Sequence, residues 1–270
     1  MSDTSVTDLV EMKRDSRPIS MLTAYDAPTA RLVDESGVDV VLVGDSVGNV
    51  KLGYDTTIPV SLEQSLSHTA AVSRATDDAL VVGDMPFGSY GSSVEETVEN
   101  AARYLKEGGA EAVKLETPVG GEITVDLVDR LTELGIPVMG HTGLTPQRVH
   151  ATGGYGVEGR GDDAEQLIET AERLEDAGCF SVVLESIPEK VGMEATETVS
   201  VPTIGIGAGR YVDGQVLVID DMLGFGDDTP CFVKEYADLD SIKREAIESY
   251  VDDVRRNEFP SSEHVFDPVD

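Results

Sequence analysis

One short pattern recurs along the chain and limits the folds that it can adopt. An amphipathic stretch is followed by a glycine, two or three further residues and a β-branched run that ends in a polar side chain; the copies are DESGVDVVLVGD, KEGGAEAVKLE, TELGIPVMGH and EDAGCFSVVLES. Glycine adopts a positive φ without strain, so the glycines of these copies are predicted to end helices, at Gly37, Gly108, Gly135 and Gly178. The pattern therefore predicts helices that alternate with strands.

The strand-like runs are short, rich in Val and Ile, and apolar at odd and even positions alike, which is typical of strands buried in a parallel sheet. We predict eight of them, at residues 18–25, 38–45, 79–86, 111–116, 137–142, 180–186, 201–207 and 215–220. Eight parallel strands in a chain of 270 residues predict an α/β fold of the (β/α)8 TIM-barrel type. We expect a single catalytic domain over residues 1–270, with an extra N-terminal segment and a further helix after residue 238. Because periodicity does not reveal closure, a doubly wound open sheet is the alternative.

The chain is strongly acidic, with 52 Asp and Glu residues against 20 Lys and Arg residues and a formal net charge of -32. Nucleic acids and anionic membranes would repel such a chain, and we expect neither as a partner. Hydrophobic residues make up 40% of the chain and fall in ordered runs, which excludes a disordered protein. Because like charges repel one another unless salt screens them, the composition predicts a halophilic protein from a salt-rich cytoplasm.

The sequence also indicates the cellular compartment. We find no apolar segment of signal-peptide or membrane-spanning length. The two cysteines, Cys179 and Cys231, each lie near an apolar stretch, which predicts buried free thiols rather than a disulfide. We therefore expect a soluble, cytoplasmic protein.

Polar side chains stand at the ends of most of the predicted strands. In chain order they are Tyr25, Asp45 with Ser46, Asp84, Lys114 with Glu116, His141, Glu185 and the glycines of GIGAG (205–209). Barrel enzymes carry their active sites at the carboxyl-terminal ends of the strands, so we expect these side chains to share one site. Alternation along the fourth strand points Lys114 and Glu116 inward together, which favours a functional role for that pair. For Asp45 or Asp84 taken singly, capping of the loop backbone is an equally good interpretation.

Carboxylates from different strands, without a Cys or His pair at metal-binding spacing, indicate a hard cation held through oxygen, Mg2+ before Zn2+. A 2-oxo acid chelates such an ion, which then withdraws charge from the carbonyl and makes the α-proton acidic. A carboxylate base on another strand and a cation such as Lys114 near the enolate oxygen would complete an enolisation site.

Two glycine-rich segments follow predicted strands. The long segment 143–161 lacks the periodicity of a core element, which predicts a covering or binding loop. GIGAG has two interpretations: its backbone N–H groups form a phosphate cup, or its glycines only permit close approach of a flat ligand. Arg210 is the single basic residue that directly follows GIGAG, which disfavours the phosphate cup.

Several longer motifs extend nearly from end to end of the chain. They are MLTAYDAPTARL (21–32), LVGDSVGNVKLGYDTTIPV (42–60), HTAAVSRA (68–75), GDMPFGSY (83–90), VKLE (113–116), GHTGLTPQ (140–147), GGYGVEGRG (153–161), VLESIP (183–188), IGIGAGRYVDGQVLV (204–218) and EFPSSEHVF (258–266). In these motifs, and above all in the order VGDS, DMPF and VKLE, the sequence resembles the ketopantoate hydroxymethyltransferases.

The resemblance implies a barrel enzyme of pantothenate biosynthesis. Such an enzyme transfers a one-carbon unit from 5,10-methylenetetrahydrofolate, or from a modified pterin, to 3-methyl-2-oxobutanoate and forms 2-dehydropantoate. The resemblance implies three residues at or near a Mg2+ ion: Asp45, Asp84 and Glu116. It implies contacts to the oxo acid from Asp45, Ser46, Asp84 and Lys114. It places His141 beside the substrate and makes Glu185 the proton acceptor. Family members are commonly decamers, so a homo-oligomer is implied.

Two other functions remain open at this point. A Mg2+-dependent lyase or mutase of the phosphoenolpyruvate mutase and isocitrate lyase type also enolises oxo acids in a barrel. Those enzymes favour a catalytic cysteine loop or a phosphate site, and neither Cys179 nor Cys231 falls at the carboxyl end of a predicted strand. A binding or regulatory barrel without turnover is the second alternative, and the full set of polar strand ends disfavours it.

Overall fold

The computed structural model describes residues 3–226 and 229–266. Its eight parallel strands form a closed barrel in the order β1 to β8, which confirms the predicted (β/α)8 fold and excludes the open sheet. The strands are β1 Ile19–Thr23, β2 Val40–Val43, β3 Leu80–Asp84, β4 Ala112–Glu116, β5 Val138–Gly143, β6 Ser181–Glu185, β7 Thr203–Ile206 and β8 Gly214–Leu217. Each strand overlaps its predicted run. The eighth run was predicted too long, because Ile219–Met222 is helical.

Helices separate successive strands as far as β7, and a loop of residues 207–213 joins β7 to β8. The α-helices are α1 Val6–Arg14, α2 Ala27–Glu35, α3 Val47–Val50, α4 Leu62–Ser73, α5 Val94–Arg103, α6 Glu122–Glu133, α7 Val149–Thr152, α8 Asp163–Asp176, α9 Glu189–Thr198, α10 Ile219–Met222 and α11 Leu239–Arg255. Short 3-10 turns occupy Pro146–Arg148 and Ser262–His264. The extra N-terminal and C-terminal helices of the prediction are α1 and α11.

Local sequence determines where the helices begin. The Ser61 hydroxyl accepts a hydrogen bond from the backbone N–H of Gln64, and the Gln64 side chain accepts one from the N–H of Ser61, so this pair starts α4. The side chains of Asp26 and Ser93 accept the corresponding bonds at the starts of α2 and α5. A cap of this kind stabilises a helix by about 1 kcal/mol.

Three of the four glycines predicted to end helices have the left-handed φ: Gly37, Gly135 and Gly178. The prediction was wrong for Gly108, where the helix continues through a π-helical turn, Tyr104–Gly108, and Gly109 takes a φ of +69° instead. The wider turn adds one residue, so the end of the helix moves by one position. It also seats the Tyr104 ring against Gly83 of β3, where an added Cβ would lie 2.3 Å from the ring.

Apolar side chains fill the inside of the barrel. They come from all eight strands and include Ile19, Met21, Val40, Leu42, Leu80, Val82, Ala112, Met139, Val183, Ile204 and Val216. Leu9 and Met12 of α1 join this cluster, and burial of side chains of this size contributes about 1.5–3 kcal/mol each. Lys13 donates to the carbonyls of Thr196 and Val201, which precede β7. Helix α1 therefore closes the amino-terminal end of the barrel and leaves the other end for chemistry.

The chain divides into two compact units, Met1–Val218 and Ile219–Asp270. The first unit holds the whole barrel, and the single domain over residues 1–270 stays a prediction. Cys179 is buried as predicted, but Cys231 is exposed, so the prediction of two buried thiols was wrong for Cys231. That residue lies in a turn between α10 and α11 rather than in a packed element. Among the described residues, no helix combines the length and the apolar character needed to span a membrane.

Candidate active site

The carboxyl-terminal ends of β2 to β5 bring the predicted polar side chains together. The parallel register sets Asp84 of β3 beside Lys114 of β4, and Glu116 beside His141 of β5. Asp45, two residues beyond β2, donates its backbone N–H to Asp84 Oδ2 over 3.2 Å. All five residues are buried. They form one site at the end of the barrel opposite α1.

Lys114 points into this site and pairs with Asp84. Its Nζ lies 2.6 Å from Asp84 Oδ1, and both side chains are almost fully buried. Burial alone lowers the pKa of the lysine, but the negative charges of Asp84, Glu116 and Asp45 outweigh that effect and raise the pKa above its usual value of 10.5. Lys114 therefore remains an ammonium ion at any physiological pH.

The remaining carboxylates hold more negative charge than Lys114 compensates. Burial, followed by the charge of Asp84, raises the pKa of Asp45 to about 7. Burial, followed by the charge of Asp45, raises the pKa of Glu116 well above its usual value. In the described part of the chain, Glu116 Oε1 is buried without a hydrogen-bond partner. Three carboxylates facing one ammonium ion favour the binding of a further cation.

Glu185 ends β6 and faces the same site from the other side of His141. Its Oε2 lies 3.2 Å from His141 Nε2, while His141 Nδ1 lies 4.0 Å from Glu116 Oε1. The Glu185 side chain is 17% exposed against 2% for His141, so Glu185 is the carboxylate that a ligand reaches most easily. Gly143 makes this approach of β5 and β6 possible, because its φ is +98° and an added Cβ would lie 2.4 Å from the Glu185 carbonyl oxygen.

Ser46 lies half-buried beside Asp45, and its Oγ is 2.8 Å from the hydroxyl of Tyr25, which follows β1. All of the predicted site residues thus lie at the same end of the barrel.

Two of the three GIGAG glycines, Gly205 and Gly209, are accounted for by packing against the protein itself. A Cβ on Gly205 would lie 2.9 Å from Val212, and one on Gly209 would lie 2.5 Å from the Glu189 side chain. Arg210 Nε donates to Glu189 over 3.0 Å. The close-approach interpretation therefore fits better than the phosphate cup, with protein atoms rather than a ligand as the neighbours.

The sequence as a whole matches one family of enzymes. The profile of the family described as ketopantoate hydroxymethyltransferase matches residues 3–262. A 3-methyl-2-oxobutanoate hydroxymethyltransferase from Halobacterium salinarum is 52% identical over 259 residues, which cover 95% of this chain and 93% of the relative. This chain belongs to the ketopantoate hydroxymethyltransferase family. A relative with the same activity name from Desulfotalea psychrophila is 51% identical and covers 97% of this chain and 94% of its own length.

Solved structures with the same fold are more distant in sequence. A phosphonopyruvate hydrolase in complex with oxalate and Mg2+ has a TM-score of 0.61 at 13% identity and covers 99% of this chain and 92% of its own. A 2,3-dimethylmalate lyase of the PEP mutase/isocitrate lyase superfamily has a TM-score of 0.60 at 15% identity and covers 98% of this chain and 92% of its own. These two show the barrel alone. The full-length sequence match favours the hydroxymethyltransferase family over the lyase or mutase alternative.

Two further polar residues contact the site, Tyr90 and Gln147, and neither was among the predicted residues. The Gln147 side chain donates to Asp45 Oδ2, and the Tyr90 hydroxyl donates to Gln147 Oε1. Both residues lie inside the quoted motifs GDMPFGSY and GHTGLTPQ, but in loops beyond the strand ends. A search of the loop positions in these motifs for polar side chains would have found them.

The loop 143–161 also contributes Tyr155. The pKa of its hydroxyl is raised first by burial and then by the negative charges of Asp45, Glu116 and Glu185. Tyr155 therefore lies within electrostatic range of the site carboxylates, and a covering role for residues 143–161 stays a prediction.

Proposed function

We propose that the protein is a 3-methyl-2-oxobutanoate hydroxymethyltransferase that acts in pantothenate biosynthesis. It transfers a one-carbon unit from 5,10-methylenetetrahydrofolate, or from a modified pterin, to 3-methyl-2-oxobutanoate and forms 2-dehydropantoate. One observation carries the proposal. The chain is about half identical to relatives of that name, and Asp84, Lys114 and Glu185 lie at the same end of its barrel. Enolisation of an oxo acid requires a carboxylate base and a cation near the enolate oxygen, which these side chains can supply.

We further propose Mg2+ as the metal of this site, held by Asp45 and Asp84, with Glu116 near the ion through water. The donor atoms are carboxylate oxygens, which suit a hard cation, and the excess negative charge favours a divalent one. Residues 3–226 and 229–266 contain no group of three or more His, Cys, Asp or Glu side chains arranged to hold a metal. Mg2+ takes one or two carboxylates from a protein and keeps its other positions for water and substrate. When bound, the ion polarises the keto group of the oxo acid as a Lewis acid.

Glu185 is the proposed general base. It removes the proton on C3 of the oxo acid, the electrons of that C–H bond form the enolate, and the proton stays on the carboxyl group. The Lys114 ammonium ion faces the enolate oxygen and stabilises its charge. His141, between Glu185 and Glu116, borders the substrate. Carbon C3 then bonds to the methylene carbon of the folate, and the two C–N bonds of that carbon break. Water supplies the hydroxyl group; its other proton and the proton held by Glu185 end on the two nitrogens of the departing tetrahydrofolate.

The first assay measures by NMR the exchange of the C3 proton of 3-methyl-2-oxobutanoate for deuterium in D2O, with Mg2+ at low and high salt. The second assay measures turnover with methylenetetrahydrofolate. Glu185→Gln should lower exchange at least about 100-fold, since a general base contributes that much or more, while the oxo acid still binds. The control is Glu194→Gln, which removes an exposed carboxylate of α9. Exchange near the parent rate in Glu185→Gln would remove Glu185 from the base role. Exchange without any transfer from the folate would favour the lyase or mutase function.

Three further properties belong to the proposal: a cytoplasmic location, a homo-oligomer such as a decamer, and adaptation to high salt. The formal net charge of -32 supports the last of these, because salt relieves the repulsion that such a charge produces. Light scattering across a salt series measures the oligomer and its salt dependence together.

A further inference from the structure

Gln147 connects the ends of three strands through a single buried side chain. It lies in the 3-10 turn Pro146–Arg148 that follows β5, and it is only 5% exposed. Its Nε2 donates to Asp45 Oδ2 over 2.9 Å and to the Met85 carbonyl over 3.0 Å. Its backbone N–H donates to Glu116 Oε2 over 3.0 Å. One loop residue therefore contacts groups that follow β2, follow β3 and end β4.

Tyr90 fixes the orientation of the Gln147 amide. The Tyr90 hydroxyl donates to Gln147 Oε1 over 2.8 Å and accepts the backbone N–H of Glu116 over 3.2 Å. Both partners of Nε2 are acceptors only, and the partner of Oε1 is a hydroxyl that donates. A flipped amide would set its oxygen against a carboxylate and a carbonyl, so the contacts permit a single orientation.

These bonds determine which carboxylate oxygens remain available. Gln147 occupies one oxygen of Asp45 and one oxygen of Glu116. The other oxygen of Glu116, Oε1, is buried without a hydrogen-bond partner among the residues that the structure describes. Because the amide is neutral, it holds the two carboxylates without neutralising them. A lysine at this position would supply the positive charge that a bound cation otherwise brings, and a glutamate would add to the repulsion.

We propose that Gln147, supported by Tyr90, is a positioning residue that presents Asp45 and Glu116 to the cation and the oxo acid with one oxygen of each fixed. This inference rests on the proposed function. Groups that orient metal-binding side chains typically account for about 10–100-fold in metal affinity or activity. The position of Gln147 in the loop 143–161 also makes the arrangement of the carboxylates depend on that loop being in place.

The experiment compares Gln147→Leu and Tyr90→Phe with the parent and with Gln166→Leu, a matched substitution at an exposed position of α8. Calorimetry with Mg2+ and 3-methyl-2-oxobutanoate gives the metal affinity, NMR gives C3 exchange against Mg2+ concentration, and thermal unfolding gives stability. We expect Gln147→Leu to bind Mg2+ about 10–100-fold more weakly, Tyr90→Phe to change in the same direction by less, and Gln166→Leu to match the parent.

The Mg2+ dependence separates positioning from a purely structural role. A loop anchor alone would lower the unfolding temperature and leave the Mg2+ concentration for half-maximal exchange unchanged. A folded Gln147→Leu protein with Mg2+ affinity within twofold of the parent would overturn the inference while the proposed function stands. If Gln147→Leu fails to fold, Tyr90→Phe takes its place, and a Mg2+ affinity within twofold of the parent would again overturn the inference. A parent protein with no Mg2+-dependent exchange would overturn the proposed function and this inference together.

Discussion

The Lys114–Asp84 pair offers a direct test of the electrostatics of the site. Lys114→Met keeps the length of the side chain and removes the single ammonium ion among the buried carboxylates of Asp84, Asp45 and Glu116. The pair is 2.6 Å apart and almost fully buried, and removal of one partner from such a pair costs about 3–5 kcal/mol because the other charge remains uncompensated. For a unit the size of Met1–Val218, this lowers the unfolding temperature by roughly 6–20 °C.

The assay is thermal unfolding at pH 8 in EDTA and high salt, followed by circular dichroism. Lys190→Met is the matched control, since Lys190 is 80% exposed and its pair with Glu194 is a surface one that contributes less than about 1 kcal/mol. The deficit of Lys114→Met should shrink between pH 8 and pH 6, because protonation of Asp45, whose pKa is raised to about 7, removes one of the negative charges that Lys114 no longer offsets. An unfolding temperature no lower than that of Lys190→Met would refute this reasoning.

The other predictions concern pH, backbone geometry and thiol chemistry. Asp45→Asn should be inactive. In EDTA it should nevertheless be more stable to unfolding than the parent at pH 8, and this difference in stability should disappear toward pH 5. The sign follows from a folded pKa of about 7 against a usual value of 3.8: the stability linked to Asp45 is present below the unfolded pKa and is lost as the pH rises through 7. Gly143→Ala should lose stability and C3 exchange, because its φ is +98° and its added Cβ would meet the Glu185 carbonyl. Gly156→Ala is the control and should match the parent, because an added Cβ there has nothing within 4 Å. Denaturant titrations compare the stability of the two variants. Burial raises the pKa of the Cys179 thiol to about 12, so only one cysteine per chain should react with a thiol reagent at pH 8 until the protein is unfolded; reaction of both in the native protein would contradict this.

The fold was predictable because its signals are local and repeated. Gly37, Gly135 and Gly178 mark helix ends, since a positive φ excludes most other residues. The Val- and Ile-rich runs gave the strands, and their number favoured a barrel, whose closure the structure confirmed. The one misplaced helix end, at Gly108, depends on a π-helical turn that seats Tyr104 against Gly83 of β3. That contact joins segments distant in the chain, so no local pattern indicates it.

The candidate site was likewise predictable where its signals are local and unpredictable where they depend on distant segments. Parallel strands in a barrel end at one face, so the residues at the strand ends, from Asp45 to Glu185, could be assigned to one site from the sequence. Their order in the motifs also indicated the family. Gln147 and Tyr90 stand in the quoted motifs, but their contacts with the carboxylates could not be predicted, because each reaches the site from a connecting segment whose path local sequence does not fix.

The amino-acid sequence by itself therefore determined the alternation of eight strands with helices, the family and the polar ends of the strands, through periodicity, glycine conformation and motif order. The tertiary structure alone decided the pairing of Lys114 with Asp84, the accessible position of Glu185 and the contacts of Gln147. It also decided that Cys231 is exposed whereas Cys179 is buried. The physical reason is that hydrogen bonds, burial and pKa values depend on distances between segments far apart in the chain, which only the closed barrel establishes.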